Sequence, residues 1–286
     1  PGRVTRGTVD ALFAPLSVQG PMARSVPDVA LFLDTMAGYC HLDPMTFDAP
    51  SLSFSHAVAA PRRPHRVAFA ATIGGSPVDQ ETENLCRDSM RHFKNVGSKV
   101  EEIAIDLENL EDTFLALRSQ EFVIDRELQL QRYRDQIKPD IIWNTELGLE
   151  QSISTLAKAE RARAALYAQF NDLFSRYDLI VTPGANTPAF DVELRFPEAI
   201  NGIKLEHYMA ASTLTAAVTI SASPALSLPC GFDQYGRPIG LQLIGRPRGE
   251  AALLAAGALF EVESGLAEQV PNDPRHGKVP PIGKLT

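Results

Sequence analysis

Apolar and polar residues follow two different periods along this chain, and the switches between them mark out the elements. Over 224–244 the period is two. Alternating apolar residues at 225–228 and 239–244 predict two buried strands, joined by a turn over 233–236. That pattern is a hairpin in a core sheet. Gly240 falls inside its second strand, where a missing side chain marks a bulge or another backbone pressed close. From Gly249 and Glu250 onward Leu253, Leu254, Ala258 and Leu259 recur at helical spacing, so a sheet-packed helix follows.

The same reading extends to the rest of the chain. Residues 25–38 predict a helix: Ser25 caps it, Pro27 and Asp28 suit its first turn, and Val26, Val29, Ala30, Leu33 and Ala37 share a face. Gly38 offers a left-handed stop. Residues 41–64, rich in Pro and Ser, have no period and read as a surface connector. Residues 66–70, 79–96 and 99–105 then form a strand, helix and strand, with Leu85, Cys86, Met90 and Phe93 turned inward; such a unit makes a right-handed parallel crossover. A helix-rich stretch covers about 107–177, with Phe114, Leu117, Phe122 and Leu128 on one run and Leu166, Phe170 and Phe174 on another. A short buried strand over 178–182 ends at Pro183. Residues 205–219 predict a helix with Met209, Ser212, Thr213 and Ala216 on one face, whose small side chains leave room for close packing or for a cavity. The fold class is α/β, a mixed core β-sheet flanked by helices.

Composition narrows the functional classes. With 286 residues, 44% hydrophobic and 22% charged, the chain can bury a substantial core. A net charge of −8 leaves no basic stripe for nucleic acid or an anionic membrane, and Arg62, Arg63, His65 and Arg66 are too few to supply one. No apolar run reaches the length of a membrane span. Three separated cysteines, Cys40, Cys86 and Cys230, suit a reducing compartment, so the expected location is cytoplasmic. The histidines at 41, 56, 65, 92, 207 and 276 have no partner at ligand spacing, and no P-loop, G-x-G-x-x-G or G-x-S-x-G occurs. Neither a metal nor a cofactor is therefore expected. Ser76 follows two glycines as a nucleophile can, but Pro77 comes next and the segment reads as a turn. Asp191 and Glu193 lack a partner of defined geometry for acid–base work, and Arg24 reads as a structural anchor. The chain opens Pro1-Gly2-Arg3-Val4, which reads as the interior of a longer protein.

Three groups of residues carry a family resemblance. The first is G-R-V-T at 2–5, then G-P-M-A-R at 20–24, then a helix ending in Ala37-Gly38. The second is Y-D-L-I-V-T-P at 177–183, and the third P-A-L-S-L-P-C-G-F followed by G-R-P-I-G-L-Q-L-I-G at 224–245. Together they resemble the amidase signature family of serine hydrolases. The resemblance implies a serine nucleophile, a second serine in a cis peptide that relays the proton, and a lysine base, all upstream of the G-R-V turn. This chain then has no catalytic residue of its own and is inactive alone. It is the C-terminal portion, 1–286, of a single domain, with the missing N-terminal portion as its partner. The 205–219 helix borders the family's pocket, which makes Met209, Ser212, Thr213 and Ala216 substrate-binding residues for a small-molecule amide. Two departures matter. The family's N-x-x-G-x-P-A run is replaced by Thr219 to Ala225, and Ser212 stands where the glutamine-acting branch carries an acid. Hydrolysis of a neutral carboxamide C–N bond is the expected function. A protein like the A subunit of the amidotransferases, acting with partner chains, and a non-catalytic binding relative are the alternatives, and a homodimer stays open.

Overall fold

Strands buried on both faces read as continuous apolar runs, and the centre of this protein is built from two of them. The computed structural model describes residues 1–7 and 9–268. In chain order the elements are α1 (Val26–Met36), α2 (Phe54–Ala59), β1 (Arg66–Phe69), α3 (Gln80–Ser89), α4 (Arg91–Asn95) and β2 (Lys99–Glu102). They continue with α5 (Leu110–Tyr133), α6 (Pro139–Leu149), α7 (Ile153–Arg176), β3 (Leu179–Pro183), β4 (Ala199–Ile200) and β5 (Ile203–Lys204). Last come α8 (Thr213–Ile220), β6 (Ala225–Phe232), β7 (Pro238–Ile244) and α9 (Glu250–Ser264).

Five strands form one mixed sheet in the order β2-β1-β3-β7-β6, with β1 parallel to β2 and β3 and the β6–β7 hairpin antiparallel. Its two faces carry separate cores. Ala68, Ile180 and Ile244 pack with Phe114 and Leu117 of α5, Phe170 of α7 and Leu214 of α8. Val67, Phe69, Leu179, Val181, Leu241 and Leu243 point the other way, onto α1, α3 and α9. Each fully buried side chain of this size contributes roughly 1.5–3 kcal/mol. The route from β1 to β2 therefore runs over one face and the route from β2 to β3 over the other. Their loops part at the carboxyl ends of β1 and β3, where the strand order reverses, which is where open α/β sheets place ligands.

The hairpin matches its sequence pattern closely. Register shifts between Pro229 and Gly231, opposite Gly240, and the Gly184 N–H donates to the Gly240 carbonyl at 2.9 Å. A Cβ on Gly184 would stand 3.2 Å from that oxygen, so bulge and close backbone occur together. Asp233 closes the turn, accepting from the N–H groups of Tyr235 at 3.0 Å and Arg237 at 2.8 Å. The helix α1 begins as its cap predicts, with the Ser25 hydroxyl accepting from Asp28 N–H. Its Val26 N–H donates to the Glu261 carboxylate of α9 at 2.9 Å, joining residues 235 apart.

Five expectations change. The helix stops not at Gly38 but at Ala37, which turns extended (φ −81°, ψ 140°) and bridges to Val4. The 41–64 connector holds α2, because Ser53 caps it and Phe54 is buried in the core. The 79–96 helix breaks at Met90 into α3 and α4, and the following strand ends at Glu102. The 205–219 helix is a 3-10 turn over Tyr208–Ser212 followed by α8, since Ser212 leaves helical geometry (φ −124°, ψ 14°). Asn144 of α6 donates to the Tyr208 hydroxyl at 2.6 Å and Trp143 packs on the Tyr208 ring, fixing that tighter turn. On α5, Phe114 and Leu117 are buried while Leu128 is exposed.

Candidate substrate cleft

A cleft of about 470 Å³ opens between the segments that follow β1 and β2. One wall is the 74–77 turn after β1, a second is residues 107–112 leading into α5, and a third comes from residues 203–206 with Ala210 and Thr213. The glycines make the first wall possible. Gly74 (φ 62°) and Gly75 (φ 70°) are both left-handed, and a Cβ on Gly74 would lie 3.0 Å from the Leu107 carbonyl.

That turn delivers Ser76 into a buried polar trio with Asn186 and Thr213. Ser76 is 8%, Thr213 5% and Asn186 1% exposed. Asn186 Nδ2 donates to Ser76 Oγ at 2.8 Å and to the Pro77 carbonyl at 2.7 Å, while its backbone carbonyl accepts from Asp79 N–H at 2.8 Å. The Ser76 and Thr213 hydroxyls share a hydrogen bond. Asn186 thus ties the loop after β3 to the turn after β1, and through Ser76 to the start of α8. Neither partner of the Ser76 hydroxyl among the described residues is a base that could activate it as a nucleophile. The mouth is acidic: Glu111, Asp112 and Glu206 face Lys204, and Glu111 meets His207 Nε2 at 2.9 Å.

Of the four residues proposed from sequence to bind substrate, Thr213 lies on the cleft wall. Met209 and Ala216 are buried in the core between the sheet and α5–α8, and Ser212 is half-buried at the joint between the 3-10 turn and α8. The change of helix type breaks the single stripe that a uniform period assumes. Asp191 and Glu193 are exposed, with Asp191 accepting from Glu193 N–H at 3.0 Å in a local turn, and Arg24 is exposed. Among the described residues no group of three His, Cys, Asp or Glu could hold a metal ion; His276 lies outside them. No helix among them is long and apolar enough to cross a membrane. Cys86 and Cys230 are buried with sulfurs 3.7 Å apart, and this neighbour together with burial pushes the Cys86 thiol well up. Asn186 escaped the sequence reading: its only mark is a place in a Gly- and Pro-containing loop after a strand. A smaller groove of about 260 Å³ runs between residues 11–15 and α5, where burial pushes the Glu121 carboxyl up.

Comparison with known proteins follows the same lines. A family model described as Amidase matches residues 1–254. The chain is 26% identical over 260 residues to an acylamidase of Rhodococcus erythropolis, covering 89% of this chain and 54% of that protein. It is 31% identical over 290 residues to the A subunit of glutamyl-tRNA(Gln) amidotransferase from Moorella thermoacetica, covering 91% and 57%. Among solved structures, a bacterial aryl acylamidase of the amidase signature enzymes superposes with a TM-score of 0.81 at 23% identity, over 93% of this chain and 57% of that one. A 6-aminohexanoate cyclic dimer hydrolase complexed with substrate gives 0.81 at 17%, over 94% and 60%. These structures share the fold, and the chain spans a little over half the length of the relatives it matches.

Proposed function

Because this chain belongs to the amidase signature family, whose model matches residues 1–254, we propose that it is the non-nucleophile portion of an enzyme that hydrolyses a carboxamide C–N bond. The observation that carries the reading is the cleft between the segments that follow β1 and β2, lined by Ser76 and Thr213, whose hydroxyls bond each other and have no base as partner among the described residues. The reacting groups then belong to an upstream portion of the same domain. In the chemistry of the family a serine hydroxyl adds to the amide carbonyl, its proton passes through a second serine to a lysine, and the amine leaves with a proton. Water then cleaves the acyl-enzyme to the acid. No metal takes part, and the expected compartment is the cytoplasm. The part of this chain is to shape the pocket: Thr213 borders it directly, and Met209, Ser212 and Ala216 back or flank that wall. None of the four bears a charge, so the favoured substrate is neutral.

A second reading is an amidotransferase component working with partner chains, and the likeness to the Moorella protein favours it. Ser212 weighs against it, since a hydroxyl cannot pair with the α-ammonium group of glutamine as a carboxylate does. The test is to supply the protein that contains this chain with primary and aryl amides, with and without a chelator, and to label it with a serine-directed fluorophosphonate. Hydrolysis that survives the chelator, with one labelled serine outside residues 1–286, is expected. Labelling at Ser76, or activity lost to the chelator, overturns the proposal.

A further inference from the structure

The hydrogen count of the buried trio identifies what the cleft lacks. A hydroxyl carries one hydrogen and accepts up to two bonds, and an amide NH₂ only donates. Asn186 has its orientation fixed, because only its NH₂ end can face the Pro77 carbonyl at 2.7 Å. Ser76 Oγ is therefore the acceptor in its 2.8 Å bond with Asn186. The bond between the Ser76 and Thr213 hydroxyls uses one of their two hydrogens. The other has no acceptor within hydrogen-bond reach among the described residues, and the buried Asn186 Oδ1, which does not line the cleft, has no donor. Hydrogen bonds that run in one direction polarise and strengthen each other, so the favoured order is Asn186 to Ser76 to Thr213, which leaves the surplus hydrogen on Thr213. Thr213 is only 5% exposed, yet it lines the cleft, so a buried donor is presented to whatever enters.

The complement of such a donor is an oxygen acceptor, and the mouth decides its charge. Three carboxylates, Glu111, Asp112 and Glu206, face one ammonium, Lys204, so an anionic acceptor meets net repulsion while a neutral carbonyl does not. We propose that the cleft is a subsite for a neutral carbonyl group, which accepts a hydrogen bond from the Thr213 hydroxyl, and that it rejects the corresponding carboxylate. The ligand class rests on the amide-hydrolase reading, in which the carbonyl belongs to a substrate amide and the rejected carboxylate is the product's. A volume of about 470 Å³ admits a group the size of an aromatic ring with its carbonyl.

A ketone separates this inference from the reaction, because it offers the same carbonyl with no amide bond to cleave. The intact protein, carrying labelled threonine methyl groups, is titrated with acetophenone and with benzoate, and amide hydrolysis is measured separately. Acetophenone is expected to move the Thr213 methyl resonance and benzoate to bind at least about tenfold more weakly. Thr213→Val should weaken acetophenone by about threefold to tenfold, the range of one neutral hydrogen bond, and Thr213→Ser should restore it to within about twofold. Unchanged Thr213 signals, equal binding to the Val variant, or benzoate bound as tightly as acetophenone overturns the subsite, even where the protein hydrolyses amides. Binding at Thr213 without any hydrolysis retains the subsite as a carbonyl site and rejects the amide-hydrolase reading.

Discussion

Replacing Gly148 with alanine tests how the cleft is braced from behind. Gly148 lies in α6 where that helix crosses α5, and a Cβ there would come within 2.4 Å of the Ser119 carbonyl oxygen and 2.6 Å of Val123 Cγ2. Val123 can change rotamer. The Ser119 carbonyl belongs to helix backbone and cannot, so α6 must retreat by roughly 1 Å to restore ordinary contact. Alanine gains about 1 kcal/mol of helix propensity over glycine, whereas forced overpacking costs about 1–3 kcal/mol, toward the upper end where backbone must move. The net expectation is a loss of about 2 kcal/mol. With a urea slope of about 3 kcal/mol/M, the unfolding midpoint falls by roughly 0.7 M. Because Asn144 and Trp143 of α6 hold Tyr208 beside the cleft, acetophenone affinity should fall as well. A Gly148→Ala protein as stable as the parent, or more stable by its propensity gain, would refute the close crossing.

Two further outcomes follow from the side-chain environments. Burial alone would raise the Asp233 carboxyl, but the backbone and side-chain donors of Arg237 outweigh it and hold it below the usual carboxylate range. Its contribution is thus complete above the unfolded carboxylate value and lost as pH falls through the lower folded one, so Asp233→Asn should lower the Tm at neutral pH and flatten the acid side of a Tm–pH profile; an unchanged profile would contradict this. Native thiol titration should give one fast and two slow cysteines: the Thr5 hydroxyl bonds to Cys40 and lowers its thiol, while Cys86 and Cys230 are buried. Fast reaction at Cys86 or Cys230 would show that the contact between α3 and β6 opens readily.

Much of the architecture was legible because burial on a sheet imposes a simple period. The hairpin, its bulge at Gly240, β1, β3, α1 and α9 all follow from alternation, capping and glycine placement. The errors fall where a local rule met a tertiary contact. Gly38 looked like a helix stop, but pairing of Ala37 with Val4 ended α1 first. The Pro/Ser connector hid α2 because one buried residue, Phe54, leaves no period. The 205–219 segment read as one helix, and Tyr208 anchored on α6 tightened its first turns. In the cleft, Thr213 could be named through the family resemblance, whereas Asn186 could not, because its importance comes from meeting Ser76 and Pro77 more than a hundred residues earlier. The parts assigned to Met209, Ser212 and Ala216 remain part of the proposed function.

The bond from Val26 to Glu261 also fixes an order of events during synthesis. At about 5–20 residues per second, the ribosome needs roughly 12–47 s to add the residues that separate α1 from its carboxylate partner on α9. Among the described residues, the core on the face bearing α5, α7 and α8 includes nothing later than Ile244, so that face can close first. Its other face cannot. Val26, Ala30 and Leu33 wait through that interval for Leu253, Leu254 and Phe260, and over the last stretch from Ile244 to Glu261, roughly 1–3 s, the nascent chain carries a closable half and an open, adhesive half at the same time.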